Sequence, residues 1–283
     1  MCGEFLRAAI YLALILWACA PRLACAQTPS PLQEWQYSSG IILQRLFEAN
    51  LPEWRVVVGA GEEVRPLYDG AQPYRGEGGP VINIRYYDIA FASTGEGVGM
   101  NLLSGDNYRA GVALGYDLGR RVADYYSHLH GLGDITPAPV IKLFDSYVIS
   151  KKFPLVLRAD VRQFVGGADG VIGDLGVYMP LPGSSKTLAM FAGPSITFAD
   201  HLYLQKEFGV TATQALASGY PEYDAHPGVN AVGLGFSATR FITSRWLLNV
   251  DAAVNRLRGS AAESPLTQRT GQRVLALSIA YSR

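Results

Sequence analysis

The chain has 283 residues, 49% of them hydrophobic and 17% charged, and its 24 Lys and Arg balance 24 Asp and Glu. That balance argues against nucleic acid or another polyanion as partner. The mean hydropathy of +0.11 excludes a bundle of membrane helices, each of which needs a long apolar run.

Taken in chain order, the first signal is a leader. Arg7 ends a short amino-terminal region, Ala8–Ala20 is uncharged and mostly apolar, and Ala24-Cys25-Ala26 puts small residues where a signal peptidase cuts. Residues 1–26 are therefore expected to be a signal peptide cleaved near Ala26, too short in its apolar part to span a bilayer. Leu16-Trp17-Ala18-Cys19 only half fits a lipoprotein signal, because Trp17 is bulky. Cys2, Cys19 and Cys25 all fall in this leader, so the rest has no thiol, disulfide or Cys-based metal site. Residues 27–53 form a separate segment. Ser38 or Ser39 can cap a short helix with Ile42, Leu43, Leu46 and Phe47 on one face. A lumen plug, a membrane-surface helix and an extra strand all remain compatible with it.

From Trp54 onward the pattern has period two, in segments of about ten residues, the length a tilted membrane strand needs. Ala110, Val112, Leu114 and Tyr116 alternate with Arg109, Gly111, Ala113, Gly115 and Asp117. Leu155, Leu157, Ala159 and Val161 alternate with Val156, Arg158, Asp160 and Arg162, and Trp246, Leu248, Val250 and Ala252 with Leu247, Asn249, Asp251 and Ala253. Strands are expected at 54–61, 80–87, 89–94, 97–103, 107–117, 137–149, 153–164, 169–180, 186–198, 229–241, 244–256 and 272–283. Long connections fall at 62–79, 118–136, 199–228 and 257–271, and from strand five onward short and long connections largely alternate, apart from the short Gly166–Gly170 loop on the long side. That asymmetry, with aromatics at strand ends (Trp246, Tyr116, Tyr86, Tyr281), predicts an all-β, antiparallel transmembrane barrel of about twelve strands over 54–283. Its short turns would lie in the periplasm and its long loops outside. Pro194 inside strand nine predicts a bulge. The 199–228 loop is expected to fold over or into the barrel mouth.

Several short motifs resemble one family. They are Gly193-Pro-Ser-Ile-Thr-Phe-Ala-Asp200, Phe208-Gly-Val-Thr211, Gln214-Ala-Leu-Ala-Ser-Gly219 and Tyr223-Asp-Ala225. Arg158-Ala-Asp-Val-Arg-Gln163, Gly166-Gly-Ala-Asp-Gly170, Asp174-Leu-Gly176, Gly115-Tyr-Asp-Leu-Gly-Arg120, Gly131-Leu-Gly-Asp134 and Ser264-Pro-Leu266 add to them. In order and spacing they resemble the MipA/OmpV family of outer-membrane proteins, from about Trp54 to the C-terminus. The resemblance implies a barrel in the outer membrane of a Gram-negative bacterium, in contact with its lipid. It also implies a scaffold role, in which the partners would be a lytic transglycosylase and a penicillin-binding protein. Porin-like channels and surface antigens or adhesins are the alternatives it leaves open. Members usually end in an aromatic residue, whereas this chain ends Tyr281-Ser282-Arg283.

No catalytic set, cofactor site or metal site is expected. His128, His130, His201 and His226 all fall in connections, where exposed histidines are usually solvated. A membrane hydrolase would need a strand His beside a Ser, oriented by a third polar group. Asp160 with Asp174 could do acid–base work, yet no spacing brings them together. Arg85, Arg109, Asp117, Arg158, Asp160, Arg162, Asp174 and Asp251 are expected to face the lumen, either as a salt-bridged filling or as a channel lining.

Overall fold

The computed structural model describes residues 52–150, 152–153, 155–185 and 187–283. The expected signal peptide and the helix read from Ser38 lie outside the described residues. The strands are β1 (Trp54–Pro66), β2 (Tyr74–Tyr86), β3 (Ala90–Ser93), β4 (Gly97–Ser104), β5 (Tyr108–Asp117) and β6 (Ala138–Val148). They continue with β7 (Val156–Phe164), β8 (Val171–Pro180), β9 (Leu188–Ala199), β10 (Gly228–Phe241), β11 (Trp246–Leu257) and β12 (Gly271–Ser282). Each pairs with its sequence neighbour, and β1 pairs antiparallel with β12, so the sheet closes into a twelve-strand barrel with no free edge. The seam reaches the last residue, since Arg283 exchanges backbone hydrogen bonds with Val56 at 2.8 and 3.0 Å.

Strict alternation makes these strands. In β6, Ala138, Val140, Lys142, Phe144, Ser146 and Val148 are buried, while Pro139, Ile141, Leu143, Asp145 and Tyr147 are exposed. The outer face repeats this exposed apolar pattern at Val98, Leu114, Val161, Leu234, Val254 and Leu277. A belt of that extent would not persist in water and needs lipid against it. At the end that carries the short turns, Trp54 packs on Tyr86 (4.8 Å between ring centroids) and Trp246 on Tyr281 (5.4 Å), as in the aromatic girdle of a membrane interface.

Two expectations are corrected. The first connection is not a long loop over 62–79: β1 and β2 continue through it, leaving only residues 67–73 outside the ladder. Arg65 of this stretch is buried inside the barrel, where its Nη2 donates to Glu77 Oε2 at 2.7 Å. Nor does Pro194 make a bulge. The β9–β10 register runs unbroken through Leu234↔Pro194, and on the other side β8 and β9 keep one register while pairing stops between Gly176↔Ser195 and Met179↔Ala192. The ladder skips the missing N–H instead of gaining a residue. The register shift in β9–β10 falls at Val229/Ala231.

The long loops form a lid on the opposite end. It contains α1 (Tyr126–Leu129), α2 (His201–Phe208), α3 (Ala212–Ser218) and α4 (Gly259–Glu263). The Asp200 side chain accepts from the Tyr203 amide at 2.8 Å and starts α2. Thr211 and Gln214 make a capping box on α3, which ends at Gly219 with φ +81°. Tyr203, Leu204 and Phe208 of α2 pack down onto Val140, Phe164 and Ile172 of the barrel wall. Above them Tyr68, Leu129, Leu132, Val210 and Leu266 gather all four loops into a second core. The 199–228 loop thus closes the mouth by burying apolar area on the wall.

Candidate functional site

The eight residues singled out for the lumen are all buried inside the barrel: Arg85, Arg109, Asp117, Arg158, Asp160, Arg162, Asp174 and Asp251. They fall into separate groups. Near the turn end, Arg85 Nη2 donates to Glu96 Oε2 at 2.6 Å, and Arg109 Nη2 lies 3.6 Å from Glu96 Oε1. Arg109 is 1% exposed, sits over the Phe91 and Phe144 rings at 6.0 and 5.2 Å, and its guanidinium nitrogens make no hydrogen bond. Further up the wall, Asp160 and Asp174 are direct cross-strand partners. The expectation that nothing brings them together is therefore corrected. Arg162 joins both, with Nε 3.2 Å from Asp160 and Nη2 bonded to Asp174, which also accepts from Thr197. An arginine clamped between two carboxylates, one of which also accepts from Thr197, braces three neighbouring strands. Asp251 accepts from Asn249 on the far wall, and Asp117 accepts from the Gly119 amide under the lid.

Sequence reasoning missed Glu63, Arg65, Asp69, Glu96, Arg120 and Glu207. Glu63 and Arg65 continue the inward row of Gly59 and Gly61, a period-two signal masked by the outward Glu62. Glu96 sits in a three-residue turn and carried no signal.

Beneath the lid these side chains surround a cavity of about 140 Å³, lined by Glu63, Arg65, Asp69, Asp117, Arg120, Arg162 and Glu207, with Asn230 and Gln272 from the far wall. Arg120 ties two lid loops together: its Nη1 donates to the Glu207 carbonyl at 2.7 Å and lies 3.5 Å from Glu207 Oε2. Burial pushes the Glu207 carboxyl up to about 7, with Asp117 and Asp69 adding to the shift and Arg120 opposing it. A carboxyl whose folded value stands above its ordinary 4.5 binds more protons folded than unfolded. Its contribution to the lid is therefore complete below pH 4.5 and is lost as the pH rises through about 7. The loss is on the order of 3 kcal/mol at most. Limited proteolysis of the 200–227 loop should accelerate between these pH values in the wild type and stay flat across them in Glu207→Gln. Equal pH dependence in both would refute the assignment.

The histidines take structural roles. His128 was expected to be solvated, but it is half-buried: Nε2 is 3.0 Å from the Leu266 carbonyl, and Nδ1 is 2.7 Å from the Tyr220 hydroxyl. Loop packing has turned a surface-type residue into a lid rivet. His130 packs on Tyr126 instead (6.0 Å), and His201 Nδ1 donates to the Ala225 carbonyl at 2.8 Å.

Among solved structures, the translocator domain of autotransporter NalP from Neisseria meningitidis aligns at 12% identity, covering 87% of this chain and 99% of its own, with a TM-score of 0.42. The CymD monoaromatic hydrocarbon channel aligns at 10% identity over 93% and 98%, with a TM-score of 0.40. The NanC porin aligns at 8% over 81% and 98%, with a TM-score of 0.38. No curated protein matches the sequence. Family comparison is more specific, because one family covers nearly the whole barrel, from Val58 in β1 to Arg283 at the seam. With a closed twelve-strand barrel, a lipid-facing apolar belt and this match over residues 58–283, the chain is an outer-membrane barrel protein and belongs to the family of MltA-interacting protein MipA.

Proposed function

We propose that this barrel is non-enzymatic and acts as a docking scaffold that brings a murein hydrolase and a murein synthase together at the periplasmic side of the outer membrane. The observation that carries the reading is the lid, four loops packed into shared cores across one mouth. A barrel closed in this way, its lumen braced by Arg85–Glu96 and Arg162–Asp174, has its accessible binding surface on the rims. The family description names an interaction with MltA, which supports a cell-wall enzyme as one partner. Orientation follows the usual rule, with short turns periplasmic and long loops outside. Crosslinking in cells followed by purification of the barrel should recover a lytic transglycosylase and a penicillin-binding protein. Recovery of neither would end the scaffold reading.

A second reading, a passive channel for small solutes, is favoured by the cavity beneath the lid. Planar-bilayer recording separates the two: the scaffold reading expects the wild type to be silent, whereas steady single-channel conductance would support the channel.

A further inference from the structure

The cavity beneath the lid carries more than its shape. A water needs roughly 10–15 Å³ of such space, so about 140 Å³ holds several waters or one small solute. Part of its wall is built from small residues, Gly233, Gly235 and Ala253, which leaves the space open.

The charges facing this space are unequal in availability. Its three guanidinium groups are already engaged. Arg65 bonds to Glu77, Arg120 to the Glu207 carbonyl, and Arg162 to Asp160 and Asp174. Glu63 and Asp69 line the same cavity, with Arg65 acting on both through its charge and Arg120 and Arg162 also acting on Asp69. Glu63 is 6% exposed, and its buried Oε1 has no hydrogen-bond partner among the described residues. Two more polar atoms on other strands share that condition: Asn230 Oδ1 and Gln272 Nε2, in residues 3% and 4% exposed. Buried polar atoms without partners are uncommon in native proteins. Here Glu63 Oε1 and Arg65 Nε from β1, Asn230 Oδ1 from β10 and Gln272 Nε2 from β12 belong to residues that line one cavity, as polar groups do where a ligand completes them.

We propose that this chamber binds a small organic cation, with Glu63 and Asp69 as its charge partners, Asn230 Oδ1 as a further acceptor and Gln272 Nε2 as a donor to a polar atom of the solute. An anion fits poorly, because Arg65 and Arg162 already hold carboxylates, Arg120 holds the Glu207 carbonyl, and the Glu63 and Asp69 carboxyl groups face the same space. A metal ion fits poorly too: among the described residues no group of three or more His, Cys, Asp or Glu is placed to hold one. The inference goes beyond the scaffold reading and does not depend on it.

The test is calorimetric titration of the purified protein in detergent micelles with 1,4-diaminobutane, alongside the uncharged 1,4-butanediol, the dianion succinate and magnesium chloride. The diamine should bind, and the other three should not. Glu63→Gln and Asp69→Asn should each weaken diamine binding by about ten-fold or more. Gel mobility of unboiled samples reports whether each variant remains a closed barrel. Asp69 lies outside the strands, so its variant keeps the test valid if the β1 variant fails to fold. Absence of diamine binding, tighter binding of succinate or magnesium, or diamine binding unchanged in a folded variant would each overturn the proposal.

Discussion

Gly193→Val is expected to prevent the barrel from closing. A Cβ on Gly193 would lie 1.8 Å from the Val177 carbonyl oxygen, 2.7 Å from the Val177 carbonyl carbon and 2.8 Å from the Tyr178 Cα. All three are backbone atoms of β8, so no side chain can swing aside, and the two strands would have to part. Forced overpacking usually costs about 1–3 kcal/mol, and a clash with a neighbouring strand's backbone belongs at or above the top of that range. The same place already lacks two rungs of the ladder, next to Pro194, which leaves less pairing to resist separation. Gly79→Ala on β2 is the matched control, since a Cβ there meets nothing within 4 Å. Urea unfolding in micelles, followed by tryptophan fluorescence and by the mobility of unboiled protein on a gel, compares the two. An unfolding midpoint for Gly193→Val equal to that of the control would show that β8 and β9 can move apart freely.

The second large effect is expected at Glu96. Its side chain is 3% exposed and faces both Arg85 and Arg109, themselves 4% and 1% exposed. Glu96→Ala leaves two buried guanidinium groups near one another without that carboxylate, and removing one partner of a buried ion pair typically costs about 3–5 kcal/mol. Arg109→Met should behave in the opposite way. Its guanidinium makes no hydrogen bond among the described residues and lies against two phenylalanine rings, a setting that suits a thioether. That variant should stay within about 1 kcal/mol of wild type or exceed it. The discriminating result is the order of the two midpoints: Arg109→Met falling as far as Glu96→Ala would mean that the arginine, not the carboxylate, organises this part of the lumen.

Much of the barrel was legible because a strand's two faces differ in solvent. The inward Arg109, Gly111, Ala113 row and the outward Ala110, Val112, Leu114 row of β5 sort themselves at adjacent positions, with no knowledge of the rest of the chain. The same logic failed at residues 62–66, where Glu62 interrupts the outward row just as Glu63 and Arg65 carry the inward one upward. It failed again at Pro194, because a proline's effect depends on which neighbouring strand needs its N–H, and that is a property of pairing. The lid was legible only as a length and a few apolar residues. Its seat on Phe164 and Ile172 depends on how wide the mouth is.

The sequence by itself determined the strand count, the inward and outward rows of strands such as β5 and β6, and the family, since these follow from local periodicity and local motifs. Only the tertiary structure decided which charges meet. Arg85 finds Glu96 across a short hairpin, Arg120 finds Glu207 across 87 positions, and Glu63, Asn230 and Gln272 reach one cavity from three strands. The physical reason is closure. Joining β1 to β12 sets the stagger of every strand and brings residues distant in the chain to the same height in the lumen. Period two tells a side chain which way to point, and the closed barrel alone tells it what it will meet there.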